Sequence, residues 1–453
     1  MGINPQNFCF ILEKGESFTA PEAVLVYSAE GLGGMSRAYH KLYRSRLCRG
    51  KYRDIPRAVV LNSWETTYFT FDENTIIDLA RDAAKIGVDT MVLDDGWFSS
   101  RTTDRAGLGD WWENSDRLPS GLGWLAEEVN KLGLRFGLWF EPEMVNPDSE
   151  LFRKHPEWAL HTVGRDTTPT RSQVTLDFSR DDVCEYIIGA VSSILDRANI
   201  EYVKWDMNRY MSEVGSAALP ADRQGEVYHR YILGLYKVLE TLTGRYPDVL
   251  FESCVSGGGR FDPGMLYYMP QVWTSDNSDA VDRLRIQYGT SLVYPYSSMS
   301  AHVSVCPNHT QGRITPFKMR CNVAMPGQLG FELNIGRCSE EELWMCRETI
   351  KRYRLLEETF HKGDLYRLVS PFEADFSAIQ FISEDKKQVI VCIDSQRAAF
   401  NGPDQYVKLC DLDPDGVYKC GDRSYYGEYL MNFGIHFCNK REHISEMLVF
   451  DKE

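Results

Sequence analysis

Apolar runs alternate with amphipathic stretches between about Ala58 and Phe360. A short apolar run bounded by polar residues predicts a buried strand, and apolar residues three or four positions apart predict a helix. The clearest helix is at 73–86, where Gly87 can end it. The predicted strands lie at 57–64, 90–95, 135–141, 201–206, 249–254, 271–276, 291–299 and 327–333. The predicted helices lie at 73–86, 121–132, 180–198, 221–242 and 339–360.

This alternation of strands and helices predicts the class of fold. Repeated strand–helix units of this length form a parallel sheet, and about eight of them close into a barrel. We therefore predict an α/β fold, a (β/α)8 TIM barrel followed by a small antiparallel β-sandwich domain. An open doubly wound sheet is the alternative, but such sheets usually carry a glycine-rich phosphate loop after the first strand, and the sequence has none there.

The two ends of the chain follow other patterns. After the last predicted helix, short alternating segments at 376–381, 388–393 and 406–409 are separated by turns at 401–403 and 413–416, which predicts a small antiparallel β domain. The first fifty-odd residues fit neither pattern, although 10–12 and 23–27 look like strands. The predicted domain boundaries are therefore 1–55, 56–362 and 363–453.

Composition excludes several classes of partner and cofactor. The formal charge of -15 argues against a protein that binds nucleic acid or anionic membranes, since both reward a basic surface. The twelve cysteines show no C-x-x-C spacing, which weakens both a zinc site and a redox motif. Scattered single cysteines and the lack of an apolar leader segment favour reduced thiols in a cytoplasmic protein.

Two predicted strands deliver a carboxylate next to a tryptophan. The first ends in Lys204-Trp205-Asp206, and the second runs through Trp273 to Asp276. Glycosidic bonds are cleaved by a pair of carboxylates, of which one attacks the sugar and the other protonates the leaving oxygen. Other strand ends carry Trp64, Asp94, Asp95, Trp139, Glu141 and Cys254. Aromatic rings suit the apolar faces of a sugar, and carboxylates suit its hydroxyls.

Each of these carboxylates also has a structural interpretation. Asp276 could cap the following helix instead of acting in catalysis. Asp94 and Asp95 could form a simple turn before Gly96, although two adjacent acids at a strand end favour a function. Glu141 and Glu143 have no obvious carboxylate partner, which favours a structural role in their loop.

The other polar candidates are treated in the same way. Lys204 could be a surface lysine, but at two positions from Asp206 it shares a strand face with it and could keep that carboxylate ionised. No histidine lies near Cys254 in the sequence, so this thiol is expected to line a wall. His302 and His309 are expected to hold loops together.

Five motifs follow one another along the chain: VLDDGWF (92–98), GLWFEPEMV (137–145), KWDMNR (204–209), ESCVSGGGR (252–260) and WTSDN (273–277). In this order they resemble the bacterial α-galactosidases of glycoside hydrolase family 36. The resemblance implies a retaining exo-α-galactosidase that acts on sugars such as melibiose and raffinose by double displacement, without a metal or organic cofactor. It identifies Asp206 as the nucleophile and Asp276 as the general acid/base.

The same resemblance implies how the sugar is bound. Asp94 and Asp95 would bind the galactose hydroxyls at C4 and C6. The rest of the pocket would be lined by Trp64, Trp139, Arg171, Lys204, Asn208, Cys254 and Gly257. The expected partner is an α-galactoside oligosaccharide, with no nucleic acid and no membrane. A homo-oligomer is also implied, which is a tetramer in full-length members.

The resemblance also gives the domains their identities. Family members carry a large N-terminal β-sandwich domain, and residues 1–55 would be a remnant of it with a linker. Residues 56–362 would be the catalytic barrel and 363–453 the C-terminal β domain. Two other functions stay open at this point: a galactosyl transferase that uses the same glycosyl-enzyme, and a truncated, inactive remnant that binds galactosides.

Overall fold

Eight strands close into a barrel in the computed structural model, which describes residues 2–162, 164–398 and 404–453. The strands up to residue 332 are β1 (Val60–Asn62), β2 (Thr90–Leu93), β3 (Arg135–Phe140), β4 (Met144–Val145), β5 (Val174–Thr175), β6 (Tyr202–Trp205), β7 (Leu250–Ser253), β8 (Gln271–Trp273), β9 (Met299–Ser304) and β10 (Gln328–Glu332). The barrel order is β1-β10-β9-β8-β7-β6-β3-β2, with parallel neighbours such as β3 and β6, while β4 and β5 form a separate antiparallel pair. The predicted barrel is confirmed.

Helices separate the barrel strands along the chain. They are α1 (Gly31–Leu42), α2 (Trp64–Thr67), α3 (Glu73–Ile86), α4 (Gly121–Lys131), α5 (Glu150–Lys154), α6 (Asp181–Leu195), α7 (Val227–Arg245), α8 (Pro263–Tyr268), α9 (Ala280–Thr290), α10 (Phe317–Ala324) and α11 (Glu340–Lys362). Helix α3 has the predicted bounds. Its apolar face is buried through Ile76, Ala80 and Ala83, and Gly87 ends it with φ +93°, a conformation that glycine adopts without steric cost.

One barrel strand lies later in the chain than predicted. The prediction of a strand at 291–299 is wrong, since β9 begins only at Met299. Pro295 cannot donate a ladder hydrogen bond, and the chain after it makes a 3-10 turn at Tyr296–Ser298 in which Ser298 N–H bonds the Pro295 carbonyl at 3.0 Å. Apolar content alone therefore misplaced the strand.

The beginning of the chain also differs from the prediction. Residues 10–12 and 23–27, all described, form no strand. Cys9 N–H instead bonds the carbonyl of Gly225 at 3.1 Å, and the ring of Phe10 packs 5.8 Å from that of His229 on α7. Helix α1 and the π-helix that follows it at Tyr43–Leu47 were not predicted.

The C-terminal part forms two antiparallel sheets, as predicted. Its elements are β11 (Asp364–Val369), β12 (Phe376–Ile382), β13 (Gln388–Ser395), β14 (Gln405–Val407), β15 (Val417–Cys420), β16 (Arg423–Tyr426), α12 (Gly427–Asn432), β17 (Ile435–Phe437) and β18 (Ser445–Lys452). The larger sheet has the order β11-β12-β13-β18-β15-β16, and β14 pairs with β17. Val391 of the larger sheet and Phe437 of the smaller one belong to one apolar core. The predicted turn at 401–403 lies outside the described residues.

The chain divides into two compact units by its internal contacts. The first unit comprises Met1–Val26, Thr67–Asp78 and Val92–Arg260, and it contains β3 to β7. The second comprises Tyr27–Thr66, Leu79–Met91 and Phe261–Glu453, and it contains β1 and β8 to β18. Nine of the eleven predicted site residues belong to the first unit, and Trp64 and Asp276 belong to the second.

Candidate active site

The carboxylate of Asp206 is buried at the end of β6 and held by three N–H donors. Asp206 is only 6% exposed. Its backbone N–H continues the hydrogen bonding of the strand by donating to the Phe140 carbonyl at 2.7 Å. Its Oδ2 accepts from Trp139 Nε1 at 3.1 Å and from Asn208 Nδ2 at 2.6 Å, and its Oδ1 accepts from the Met207 N–H at 2.8 Å. These donors fix the orientation of the carboxylate.

Asp94 and Lys204 form a buried ion pair in the first unit. Lys204 Nζ donates to Asp94 Oδ2 at 2.9 Å, and Asp94 Oδ1 accepts the backbone N–H of Asp95 at 2.9 Å. The alternation of side chains along the strand indicated that the Lys204 ammonium would act on the Asp206 carboxylate. The structure adds Asp94 as an ion-pair partner of the ammonium, which makes Lys204 a link to the acidic pair after β2.

Arg101 holds the second of these acids, and sequence reasoning missed it. Its Nε donates to Asp95 Oδ1 at 2.9 Å and its Nη2 to Asp95 Oδ2 at 2.7 Å, in a forked pair, and Arg101 is 1% exposed. Burial raises the pKa of Asp95, and the Arg101 guanidinium opposes that rise. The only signal in the sequence was a basic residue six positions after the acid.

The two glutamates after β3 differ in their surroundings. Glu143 accepts from Trp205 Nε1 at 2.8 Å, from the Tyr231 hydroxyl at 2.5 Å and from both Nη atoms of Arg260. Burial acts to raise the pKa of Glu143, but the Arg260 guanidinium and these hydrogen bonds outweigh it and lower the pKa. The structural role of Glu143 in its loop stays a prediction.

Glu141 is a second acid in the neighbourhood of Asp206, which the sequence did not indicate. Its Oε1 accepts the backbone N–H of Asn208, and Gln173 Nε2 donates to its Oε2 at 3.1 Å. Burial, followed by the charge of Asp206, raises the pKa of Glu141 well above its ordinary value. Burial and the Asp206 carboxylate thus both disfavour the charged form of Glu141.

Asn208 connects Asp206 to two strained loops. Its Oδ1 accepts the Ser256 hydroxyl at 2.9 Å, and Arg171 Nη1 lies 3.3 Å from the same hydroxyl oxygen. Arg171, Ser172 and Ser256 all have positive φ, at 53°, 59° and 43°. Residues with side chains adopt this conformation at a cost, and such strain is concentrated at functional sites.

Cys254 and Gly257 lie in the turn after β7. Cys254 is buried, its N–H donates to the Trp205 carbonyl at 2.8 Å, and its Sγ accepts the N–H of Gly257 at 3.5 Å. Gly257 has φ +89°, which requires glycine in this turn. The turn thus lies next to the end of β6, which Asp206 follows. Cys254 is buried, as the wall of a pocket requires.

In the second unit, Asp276 is exposed and held by the tryptophan that ends β8. Trp273 Nε1 donates to Asp276 Oδ1 at 3.1 Å, and Asp276 itself is an exposed residue. The indole of Trp273 lies under the Arg283 guanidinium at 4.6 Å and beside the His302 ring at 4.4 Å. The carboxylate of Asp276 is therefore exposed to solvent, and the indole of Trp273 that orients it is held in place.

The helix after Asp276 is capped by a different residue. Asp279 is the N-cap of α9, and its Oδ1 accepts the N–H groups of Val281 and Asp282 at 3.0 Å each. Arg283 then ties down the loop between them by donating to the carbonyls of Ser275 and Asn277 at 2.7 and 2.8 Å. The capping role that the sequence left open for Asp276 belongs to Asp279.

Three candidates of the second unit remain, which are Trp64, His302 and His309. Trp64 is half-buried at the start of α2, where its N–H donates to Asn62 Oδ1 at 2.8 Å. His309 Nδ1 lies 3.0 Å from Glu65 Oε1, and this hydrogen bond raises the pKa of His309. His302 Nδ1 lies 3.2 Å from Glu332 Oε2. Both histidines hold loops or strands in place, as expected.

The described part of the chain contains neither a metal-binding cluster nor a membrane-spanning helix. Among residues 2–162, 164–398 and 404–453, no group of three or more His, Cys, Asp or Glu side chains is placed to hold a metal ion. Within the same ranges, no helix has the length and the apolar character needed to cross a membrane.

Family models and curated relatives match most of the chain. The family model described as Melibiase matches residues 17–363, and the one described as the glycosyl hydrolase family 36 C-terminal domain matches residues 376–450. The α-galactosidase AgaA of Geobacillus stearothermophilus is 53% identical over 436 residues, which cover 96% of this chain and 60% of that protein. The α-galactosidase Mel36A of Lactobacillus acidophilus is 45% identical over 437 residues, with the same two coverages.

Solved structures give the same result. The crystal structure of the family 36 α-galactosidase AgaA superposes with a TM-score of 0.98 at 52% identity. The superposition covers 100% of this chain and 63% of the AgaA chain. A variant of AgaA in complex with raffinose also superposes with a TM-score of 0.98, at 51% identity. The chain thus spans about 60% of the length of these curated relatives.

Proposed function

The chain belongs to the melibiase family, and on this premise we propose that it is a retaining exo-α-galactosidase. It would hydrolyse terminal α-D-galactosyl residues of oligosaccharides such as melibiose and raffinose. Two curated relatives that match most of this chain are named α-galactosidases, and a variant of one of them has been crystallised with raffinose. Since the chain spans about 60% of their length, its activity and substrate are transferred as a proposal.

The geometry of Asp206 carries the proposal. A nucleophilic carboxylate must be ionised and aimed at the anomeric carbon, and Asp206 accepts hydrogen bonds from Trp139 Nε1 and Asn208 Nδ2 on the same oxygen. Both donors stabilise the carboxylate while leaving room for Oδ1 to be the attacking atom. Among the described residues, Oδ1 accepts one backbone N–H, that of Met207.

The reaction proceeds in two displacements. An Asp206 oxygen forms a bond to C1 of the galactosyl residue, and the bond from C1 to the glycosidic oxygen breaks as Asp276 donates its proton to that oxygen. Asp276, now a carboxylate, takes a proton from water. The water oxygen then bonds to C1, and the bond to Asp206 breaks. The configuration at C1 is inverted twice and is therefore retained.

Sugar recognition falls to the acidic pair after β2. Asp94 and Asp95 would accept hydrogen bonds from the C4 and C6 hydroxyls, and the Lys204 ammonium, 2.9 Å from Asp94, would donate to a neighbouring hydroxyl. Arg101 holds Asp95 in place and opposes the rise that burial causes in its pKa, so it serves as a positioning residue. The proposed pocket is completed by Trp64, Trp139, Arg171, Asn208, Cys254 and Gly257.

A cytoplasmic location is part of the proposal. All twelve cysteines are free thiols, six of them buried. Free thiols persist in a reducing compartment.

A homo-oligomer, implied by the family resemblance, is tested by measuring the mass of the protein in solution.

The decisive experiment replaces the nucleophile. Asp206→Asn is nearly isosteric and should reduce turnover of an aryl α-galactoside by at least about 10⁴-fold, because no glycosyl-enzyme can form. The matched control is Asp182→Asn, in an exposed carboxylate on α6 that pairs with Arg180, and it should leave turnover unchanged. The proposal fails if the parent protein shows no turnover, or if Asp206→Asn keeps it.

A further inference from the structure

Ser256 contacts two of the proposed pocket residues, Arg171 and Asn208. Its hydroxyl donates to Asn208 Oδ1 at 2.9 Å, and Arg171 Nη1 donates to the hydroxyl oxygen at 3.3 Å. Asn208 Nδ2 in turn donates to Oδ2 of Asp206, the proposed nucleophile, at 2.6 Å. These three hydrogen bonds form a series within the first unit that runs from a guanidinium to the carboxylate of Asp206.

The chemistry of the two end groups fixes the direction of every bond in this series. An arginine side chain can only donate, so the Ser256 oxygen accepts from Arg171. The hydroxyl hydrogen then points to Asn208 Oδ1, a carbonyl oxygen that can only accept. The amide nitrogen of Asn208 is left to face Asp206, whose ionised carboxylate can only accept. A donor at one end and an acceptor at the other thus agree on one arrangement.

The Ser256 hydroxyl selects which end of the Asn208 amide faces the nucleophile. The backbone of Asn208 is already held, because its N–H donates to Glu141 Oε1. Its amide group can still rotate, and a half-turn would bring Oδ1 against Oδ2 of Asp206, two acceptors with no proton between them. A hydrogen bond at each end of the amide opposes this rotation, and Ser256 supplies the outer one.

The series runs from the surface of the first unit to a buried group. Arg171 and Ser256 are exposed, Asn208 is half-buried and Asp206 is buried. Water competes for the outer bonds, whereas the inner bond is charge-assisted and therefore stronger. Ser256 acts on the nucleophile through Asn208, and its contribution is that of one neutral hydrogen bond.

The backbone at both outer residues has a conformation that favours glycine. Ser256 has φ +43° and Arg171 has φ +53°. Arg171 lies in a two-residue turn closed by backbone bonds between Thr170 and Gln173 at 3.0 and 3.1 Å, and turns with positive φ at their central residues usually carry Asn or Gly. Glycines occupy 257–259, so a fourth glycine at 256 would fit at lower cost. The chain instead places a hydroxyl there.

We propose that Ser256 is a positioning residue whose hydroxyl fixes the amide of Asn208, so that Nδ2 is aimed at the nucleophilic carboxylate of Asp206. The inference deepens the proposed hydrolysis and rests on it. The aimed donor holds the carboxylate in the orientation in which it attacks C1 of the galactosyl residue. The hydroxyl therefore affects the chemical step more than substrate binding.

The test compares two variants of Ser256 in steady-state kinetics with an aryl α-galactoside. Ser256→Ala removes the hydroxyl and keeps the positive φ, whereas Ser256→Gly removes the hydroxyl and the strain together. Both should lower kcat about five- to tenfold and change KM less than about twofold, because one neutral hydrogen bond is lost. Melting temperatures should show Ser256→Gly to be at least as stable as Ser256→Ala, so equal losses of kcat separate the hydroxyl from the fold.

The matched control is Ser172→Ala, at a serine that also has positive φ, at 59°. Its contact with Asn146 Nδ2 is made by the backbone carbonyl and is kept, so kcat should not change. A double variant tests the route through Asn208. Adding Ser256→Ala to Asn208→Ala should lower kcat by less than a further factor of about two, because the hydroxyl then has no amide to orient.

The inference is overturned if both Ser256 variants keep the kcat of the parent, or if the losses of Ser256→Ala and Asn208→Ala multiply in the double variant. Full kcat in Ser256→Gly beside a loss in Ser256→Ala would assign the effect to strain and would also overturn it. Asp206→Asn tests the hydrolysis separately: an active parent and an inactive Asp206→Asn uphold that function whatever the Ser256 variants do. A parent without turnover overturns both proposals.

Discussion

Trp273 Nε1 donates to Asp276 Oδ1 at 3.1 Å, so the residue that ends β8 orients the acid three positions after it. The indole is itself fixed between the Arg283 guanidinium and the His302 ring. His302 is held in turn by Glu332 at 3.2 Å. The orientation of an exposed carboxylate thus depends on a buried chain of side chains behind it.

Trp273→Phe should remove this orientation while keeping an aromatic ring. We expect kcat to fall about tenfold for melibiose, because one hydrogen bond to the acid is lost. The loss should be smaller for a p-nitrophenyl α-galactoside, whose leaving group needs little protonation. Steady-state kinetics with both substrates measure this difference. Trp344→Phe, at an exposed tryptophan of α11, is the control, and equal losses on both substrates would contradict the role of Trp273.

Asp276 and Asp279 should separate activity from stability. Asp279→Ala removes the N-cap of α9 and should lower the free energy of unfolding by about 1–2 kcal/mol. Asp276→Ala removes no cap, so its unfolding free energy should change by no more than about 0.5 kcal/mol, while its turnover of melibiose should be nearly lost. Melting temperatures and turnover of both variants decide this, and a larger loss of stability in Asp276→Ala would contradict the assignment.

The sequence predicted the barrel, its order of elements and the family, and the matching family models confirm that resemblance. Strand ends are marked by an abrupt change from apolar to charged residues, which is why Asp206 and Asp276 could be recognised. The roles assigned to them stay predictions. Helix α3 was placed correctly because its apolar spacing and Gly87 agree.

What the sequence did not predict depends on contacts between distant segments. Arg101 reaches Asp95 only because the loop after β2 folds back, and a basic residue six positions after an acid does not by itself indicate such a fold. The strand predicted at 291–299 was wrong because apolar content does not register the turn that Pro295 begins. Residues 10–12 looked like a strand, but Phe10 packs on His229 of α7 and the Ile11 N–H donates to Glu226 at the start of that helix.

The pair of Asp94 and Lys204 should show strong coupling. Both residues are buried, so removing one leaves the charge of the other poorly compensated. Lys204→Met should lower the unfolding free energy by about 3–5 kcal/mol, and adding Asp94→Asn should recover part of that loss. Melting temperatures of the two single variants and the double variant measure the coupling.

A surface pair provides the comparison. Lys237 Nζ lies 2.7 Å from Asp181 Oδ1, but both side chains are largely exposed. Lys237→Met combined with Asp181→Asn should therefore change the unfolding free energy by less than about 1 kcal/mol. If the buried pair behaved like this surface pair, with additive small effects, the inference that Lys204 compensates Asp94 in the fold would be wrong.

Arg101→Gln should change the pH dependence of activity. The guanidinium opposes the rise that burial causes in the pKa of Asp95, so its removal lets Asp95 protonate at higher pH. If Asp95 must be ionised to accept a sugar hydroxyl, the acidic limb of kcat/KM shifts to higher pH, and kcat/KM at neutral pH falls by about 10²-fold. The exposed neighbour Arg105 gives the control, Arg105→Gln. An unshifted acidic limb in Arg101→Gln would refute the link to Asp95.

Asp394 should make the stability of the C-terminal sheets depend on pH. It is buried in β13, where it accepts the Ser445 hydroxyl at 2.6 Å, and burial raises its pKa from 3.8 to about 7. Between these values the folded chain keeps a proton that the unfolded chain releases. The unfolding free energy therefore falls as pH rises through this window, by up to about 1.4 kcal/mol per pH unit.

Asp394→Asn keeps the acceptor for Ser445 and removes the titration. Its melting temperature relative to the parent should be lowest at about pH 4, where the parent is also neutral at this position, and should rise steadily towards pH 7. Asp451→Asn, at an exposed position near the end of β18, should show no such trend. A constant difference between Asp394→Asn and the parent from pH 4 to 8 would mean that the buried acid is not neutral in the folded chain, and the pH dependence would have to come from another group.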